Sequence, residues 1–277
     1  MKSILKIIFF IVFFSFVSFY LAVRPFRIVS ETTPKAYGLQ YEDVNLTTSD
    51  GVSLRGWFIP AKSPTNKAII LLHGYPADKG NILPAMLFLQ NHYNLFLFDF
   101  RYFGESGGYY TTIGKEETQD LLAAVDYLKK QKHMQTIGVW GFSMGAAVAL
   151  MTAAQSNDIN MVVADSSFAR LDWMARDHYK IPILRDLLTE MMRAWAKLLF
   201  QFDLNDINPA DAAAQLKIPV LFLYSQDDNL IPPRHADLIK KNAMANPNAV
   251  FIKQQNLMHG EMPGDYQVII SDFFKGL

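Results

Sequence analysis

Three residues of this 277-residue chain, Ser143, Asp228 and His259, have the types and the order needed for acyl-transfer chemistry. Ser143 lies in Gly141-Phe142-Ser143-Met144-Gly145, a G-x-S-x-G pattern. Glycines two positions either side of the serine let a strand turn sharply into a helix without side-chain collisions, which lifts the hydroxyl above the sheet. A serine hydroxyl is a weak nucleophile at neutral pH. It needs a base to take its proton and a third group to hold that base in orientation. His259, in Asn256-Leu257-Met258-His259-Gly260-Glu261, is the candidate base, and Asp228, in Ser225-Gln226-Asp227-Asp228-Asn229-Leu230-Ile231-Pro232, is the candidate acid. Taken singly, each has an ordinary explanation: a glycine turn that holds a serine, a surface histidine, an aspartate capping a turn. The chain order Ser, Asp, His is what makes a joint role worth testing.

For such residues to meet, the chain must bring the ends of several strands together. Residues 44–48 and 52–59 flank Ser49-Asp50-Gly51 and predict an antiparallel hairpin. Apolar runs at 68–72, 94–98, 136–140, 161–164, 220–224 and 249–252 then alternate with helical stretches near 83–91, 115–130, from 143, 234–243 and 266–274. Buried strands separated by helices imply a mostly parallel, doubly wound α/β sheet. Residues 166–217 interrupt the alternation with helices and are expected to form a lid. Within it, a helix over 183–202 carries Leu187, Met191, Ala194, Trp195 and Leu198 as a stripe expected to pack on the sheet, with Met192, Leu199 and Phe200 widening the apolar surface. Met191, Met192, Trp195 and Leu199 are the candidates for lining a substrate pocket under this roof.

From about Tyr41 onward the chain resembles the α/β-hydrolases, in particular serine hydrolases with a small helical lid such as the serine aminopeptidase-like and dienelactone hydrolase-like groups. The resemblance rests on Leu72-His73-Gly74-Tyr75, Asp99-Phe100-Arg101 with Gly104-Glu105-Ser106, the G-x-S-x-G turn, Asp165-Ser166, and the two late loops. It implies an α/β-hydrolase fold and a Ser143–His259–Asp228 triad, with the backbone N–H groups of Tyr75 and Met144 receiving the oxyanion. In the family's acid loop an aliphatic residue and a proline follow the aspartate at the spacing seen after Asp228. Asp227 is the second choice and Asp165 the third, because some relatives place the acid after the sixth strand. His73, Asp99 and Arg101 are expected to brace loops, the last two as an ion pair or loop support beneath the elbow. The implied activity is hydrolysis of an ester or thioester of a small or acyl substrate, with an aminopeptidase-like peptidase or a non-catalytic binding protein on the same fold as alternatives.

Composition excludes other classes. Half of the residues (51%) are apolar and 19% are charged, which supplies a core and rules out a disordered chain. Twenty-six basic residues balance twenty-six acidic ones, so the electrostatic footprint of a nucleic-acid binder is missing. There is no cysteine, hence no disulfide, thiolate metal site or cysteine nucleophile. The histidines form no metal-binding spacing, and the expected chemistry needs neither a metal nor a cofactor. Nothing sets an oligomeric state. Residues 7–23 form an uncharged, phenylalanine-rich run with Lys2 and Lys6 before it and Arg24 and Arg27 after it. At ~1.5 Å per residue this run reaches roughly 25 Å, just enough to cross a bilayer core. Tyr20-Leu21-Ala22 is a poor small-residue cleavage site, so residues 1–28 are expected to be an uncleaved membrane anchor rather than a signal peptide. Residues 29–40 would then link it to a hydrolase domain over 41–277, on the extracytoplasmic side.

Overall fold

The computed structural model describes residues 2–277. An apolar helix α1 (Lys2–Val23) comes first, and its 22 residues reach ~33 Å, longer than the uncharged run because Lys2 and Lys6 are also helical. An irregular stretch and a short 3₁₀ turn, Pro34–Tyr37, lead into the sheet. Strands β1 (Glu42–Thr47) and β2 (Ser53–Ile59) form the expected antiparallel hairpin around the Gly51 turn. Strand β3 (Lys67–Leu72) is followed by helix α2 (Lys79–Met86) and β4 (Asn94–Phe98). Then come α3 (Glu117–Lys130), β5 (Thr136–Phe142), α4 (Met144–Ala153) and β6 (Met161–Asp165). Between β6 and β7 the chain inserts α5 (Leu171–His178), α6 (Pro182–Phe200) and α7 (Pro209–Ala213). Strand β7 (Val220–Ser225), helix α8 (Pro233–Ala243), strand β8 (Ala249–Gln254) and helix α9 (Tyr266–Phe274) complete it.

The eight strands form one sheet in the order β1-β2-β4-β3-β5-β6-β7-β8. Only β1–β2 and β2–β4 pair antiparallel; the remaining pairs are parallel. Alternation along β3 explains the two layers. Ile70 and Leu72 join the core under α3 and α4, whereas Ile69 and Leu71 join the one under α2 and α9. Helix α4 is buried at every position, which is why its sequence is apolar all round.

Two expectations are corrected. The helix predicted over 83–91 begins earlier, at Lys79, because Asp78 caps it: the Asp78 carboxylate accepts from the Asn81 N–H at 3.1 Å and the Asn81 side chain accepts from the Asp78 N–H at 3.0 Å. It also gives way to a 3₁₀ turn, Leu87–Asn91. In α6 the buried positions are Leu188, Thr189, Met192 and Ala196, while Leu187 is 50% and Leu198 70% exposed. The helix is therefore turned by about one residue, some 100°, from the predicted stripe. It packs on two neighbours rather than one. Trp195 faces α1, with its ring edge-on to Phe16 at 5.3 Å and its Nε1–H donated to Ser15 Oγ at 3.1 Å.

Candidate active site

Ser143 follows β5 directly and precedes α4, with φ 53° and ψ −113°. A left-handed φ at a non-glycine residue costs on the order of 1–3 kcal/mol and persists only where its surroundings hold it. Here the Ser143 N–H donates to the Asp165 carbonyl at 2.8 Å, tying the turn to the end of β6. The flanking glycines are sterically required. A Cβ at Gly141 would collide with the Gly145 carbonyl, and one at Gly145 would lie 2.6 Å from the Leu72 carbonyl oxygen.

Asp228 and His259 arrive from the loops after β7 and β8, so all three residues gather at the carboxyl ends of parallel strands. His259 Nδ1 lies 2.7 Å from Asp228 Oδ2, and its Nε2 lies 3.0 Å from Ser143 Oγ. The other Asp228 oxygen accepts from the Leu230 and Ile231 N–H groups, both at 2.8 Å. Burial pushes the Asp228 carboxyl up, but the hydrogen bonds from His259 and the two backbone N–H groups outweigh it and hold it below its ordinary value. An ionised carboxylate can only accept, so His259 donates Nδ1–H to it, and bare Nε2 is left to accept the Ser143 hydroxyl proton. The Phe142 ring, 4.9 Å from the imidazole, supports it from the elbow side.

The competing acids are engaged elsewhere. Asp227 Oδ2 accepts from the Asn256 N–H at 2.7 Å. Asp165, buried, accepts from Ser166 Oγ at 2.9 Å and from the Tyr266 hydroxyl at 2.5 Å, while Trp140 Nε1–H donates to that hydroxyl at 2.9 Å. Burial raises the Asp165 carboxyl to about 6, against the lowering effect of the Tyr266 and Ser166 hydrogen bonds. No sequence signal identified Tyr266, a single aromatic residue at a helix start.

The His73-Gly74-Tyr75 loop runs against the elbow: a Cβ at Gly74 would lie 3.0 Å from the Phe142 ring and 3.3 Å from Ser143 Cβ. The Tyr75 backbone is thereby held next to the serine. Met144 opens α4, so its N–H has no intrahelical acceptor. Fully buried His73 braces this loop, accepting from the Phe100 N–H at Nε2 (3.1 Å) and donating Nδ1–H to the Gly74 carbonyl (2.7 Å). Asp99 and Arg101 also brace, but not as a pair with each other. Asp99 binds Lys79 at 2.7 Å, and Arg101 binds Asp120 at 2.8 Å together with Asp50 and Glu116, fastening the β1–β2 turn to α3.

Ser143 lies in the wall of a cavity of about 560 Å³, within the range of small-molecule sites, whose lining is mostly apolar. Tyr75, Met144, Phe168, Leu171, Met174 and Met192 are among its walls. Of the four lid candidates, only Met192 reaches it. Trp195 faces α1, Leu199 is 47% exposed, and half-buried Met191 lies outside the lining, because 191, 195 and 199 share the face turned away from the cavity. Sequence reasoning missed another wall: Ser18, Phe19, Leu21, Ala22 and Val23 of α1 line the same cavity.

A family model described as the alpha/beta hydrolase fold matches residues 67–183. The chain is 30% identical over 236 residues to the alpha/beta hydrolase domain-containing protein WAV2 of Arabidopsis thaliana, covering 82% of this chain and 75% of that protein. Among solved structures, the Pyrococcus furiosus esterase Pf2001 superposes with a TM-score of 0.77 at 32% identity, covering 92% of this chain and 99% of that one. The acylaminoacyl peptidase of Pyrococcus horikoshii shares the fold at a TM-score of 0.64 and 14% identity, over 86% of this chain and 42% of that one. The protein belongs to the α/β-hydrolase superfamily, with esterase and peptidase structures among its neighbours.

Proposed function

We propose that this protein is a serine hydrolase that cleaves an ester or thioester of an acyl substrate through an acyl-enzyme. The Ser143–His259–Asp228 hydrogen-bonded chain beside an apolar cavity is the observation that supports it. Ser143 Oγ attacks the substrate carbonyl carbon as its proton passes to His259 Nε2. The oxyanion is received by the Tyr75 and Met144 N–H groups. The bond to the leaving oxygen or sulfur then breaks, and His259 returns the proton to the leaving group. Water repeats the sequence on the acyl-enzyme, releasing the acid and restoring the serine. Asp228 holds the imidazole tautomer and stabilises its charged form.

An ester fits better than an aminopeptidase substrate. A free α-amine needs a carboxylate to receive it, and Asp177, the one acid that lines the cavity among the described residues, is already bonded to Arg234 and to His235. The identity to the esterase Pf2001 points the same way. Ser143→Ala should lower hydrolysis of p-nitrophenyl esters by roughly 10⁴ to 10⁶ and abolish fluorophosphonate labelling. Hydrolysis by that variant at the wild-type rate would refute the assignment.

Helix α1, 22 residues long and apolar, serves in this proposal as an anchor. Its short basic start around Lys2 and Lys6 faces the cytoplasm, and the hydrolase domain sits on the opposite side with its α1–α6 surface, where Ile183 and Leu198 are exposed, sunk into the lipid. Protease digestion of sealed, right-side-out vesicles should remove the hydrolase domain; full protection would reverse the orientation.

A further inference from the structure

The end of α1 is built into the hydrolase domain. Phe19 and Val23 are each only 2% exposed, although Phe9 and Phe10, nearer the start of the helix, are more than half exposed. The last carbonyls of a helix ordinarily turn to water or to a local cap. Here Ala22 accepts from the Tyr75 hydroxyl and Val23 from the Thr111 N–H, both at 2.9 Å. The Phe19 ring meets Phe200 of α6 at 5.7 Å. Beyond the helix, Arg27 donates to the Ser106 and Gly108 carbonyls at 2.9 and 3.0 Å, and Pro25 accepts from the Tyr102 hydroxyl at 2.9 Å. The apolar surface of α1 therefore runs from an exposed face suited to lipid to the wall of the cavity that Ser143 also lines.

From this continuity we infer that the last two turns of α1 form the acyl-binding wall of the site, and that the substrate is a membrane-partitioned ester with a long linear acyl chain. The chain lies along Ser18 and Ala22, faces Met192 and Leu171, and brings its carbonyl to Ser143. The inference rests on the serine-hydrolase reading and adds the substrate class to it. Ser18 and Ala22 are the smallest side chains that α1 presents to the cavity, so bulk at either position shortens the space for an acyl chain while leaving the elbow untouched.

The test uses the full chain in phosphatidylcholine vesicles, with p-nitrophenyl acetate and p-nitrophenyl laurate as probes. Each variant is scored by its laurate-to-acetate rate ratio, which does not depend on the fraction of protein folded. Ala22→Trp and Ser18→Phe should each lower the ratio roughly tenfold or more. Val12→Phe puts an aromatic ring on the same helix at an exposed position outside the cavity and should leave the ratio as in wild type. A ratio unchanged in both cavity variants, with hydrolysis still dependent on Ser143, overturns the inference alone. An equal fall in Val12→Phe also overturns it, since the effect would then belong to the membrane rather than to the wall. Hydrolysis of both esters by Ser143→Ala at the wild-type rate would instead remove the underlying reading.

Discussion

At the scale of single residues, the site turns on which of two adjacent aspartates meets His259. Asp228 supplies one oxygen to the imidazole and the other to two backbone N–H groups, so its position is determined on both sides. Asp227 points the other way and fastens the loop after β8 through Asn256. Asp228→Asn presents a neutral amide to Nδ1, which favours the wrong imidazole tautomer and leaves geometry nearly intact. A loss of about 10⁴ in kcat is expected for it. Asp227→Asn should cost less than about tenfold, because an amide oxygen still accepts from the Asn256 N–H. Steady-state hydrolysis of one p-nitrophenyl ester by the two purified variants decides between them; similar losses in both would dissolve the assignment.

At the scale of elements, the inserted helices are held by ion pairs at their ends. Arg193 on α6 binds Asp203 through Nε at 2.7 Å and Nη2 at 2.9 Å, and Lys197 adds a third contact at 2.7 Å. The hydrogen bond from Arg193, with help from Lys197 and the Asn205 N–H, holds the Asp203 carboxyl well below the usual carboxylate range against the opposing effect of burial. The sign follows from linkage. With a native value below the unfolded one of about 3.9, the unfolded chain binds the proton more readily. The stabilisation is therefore fully present above the unfolded value and is lost as pH falls toward the native one. Asp203→Asn should melt at a lower temperature than wild type at pH 7, and the gap should narrow steadily below about pH 5. A gap that stays constant down to pH 3 would show that the pair does not stabilise the lid.

At the scale of the whole molecule, α1 joins an exposed apolar surface to the hydrolase domain. Removal of the helix at Ala22 would strip Phe19 from a buried contact, take away the carbonyl that receives Tyr75, and open the cavity wall. Retention of residues 1–23 in the mature protein is the expected outcome, checked by the intact mass of protein extracted from membranes with detergent. A mass or amino-terminal sequence beginning at Val23 would contradict it. The stretch expected to link anchor and domain over 29–40 is likewise docked rather than loose: the Ser30 N–H donates to Asp78 and Pro34 is buried.

The amino-acid sequence alone determined what depends on local patterning. Apolar runs of strand length alternating with helices, two glycines spaced around Ser143, and an apolar segment between basic residues each express a constraint met within a few neighbouring positions. The order Ser143, Asp228, His259 was also legible, because in a sheet of this topology the loops after β5, β7 and β8 open on the same edge. Only the tertiary structure decided which face of α6 is buried, that Tyr266 occupies Asp165, and that the amino-terminal helix walls the cavity. The Tyr266–Asp165 contact and the packing of α1 on α6 join segments more than a hundred residues apart, and the face of α6 differs from the expected one by a one-residue rotation. A helix with apolar residues on several faces leaves such a choice open until a neighbour takes one of them.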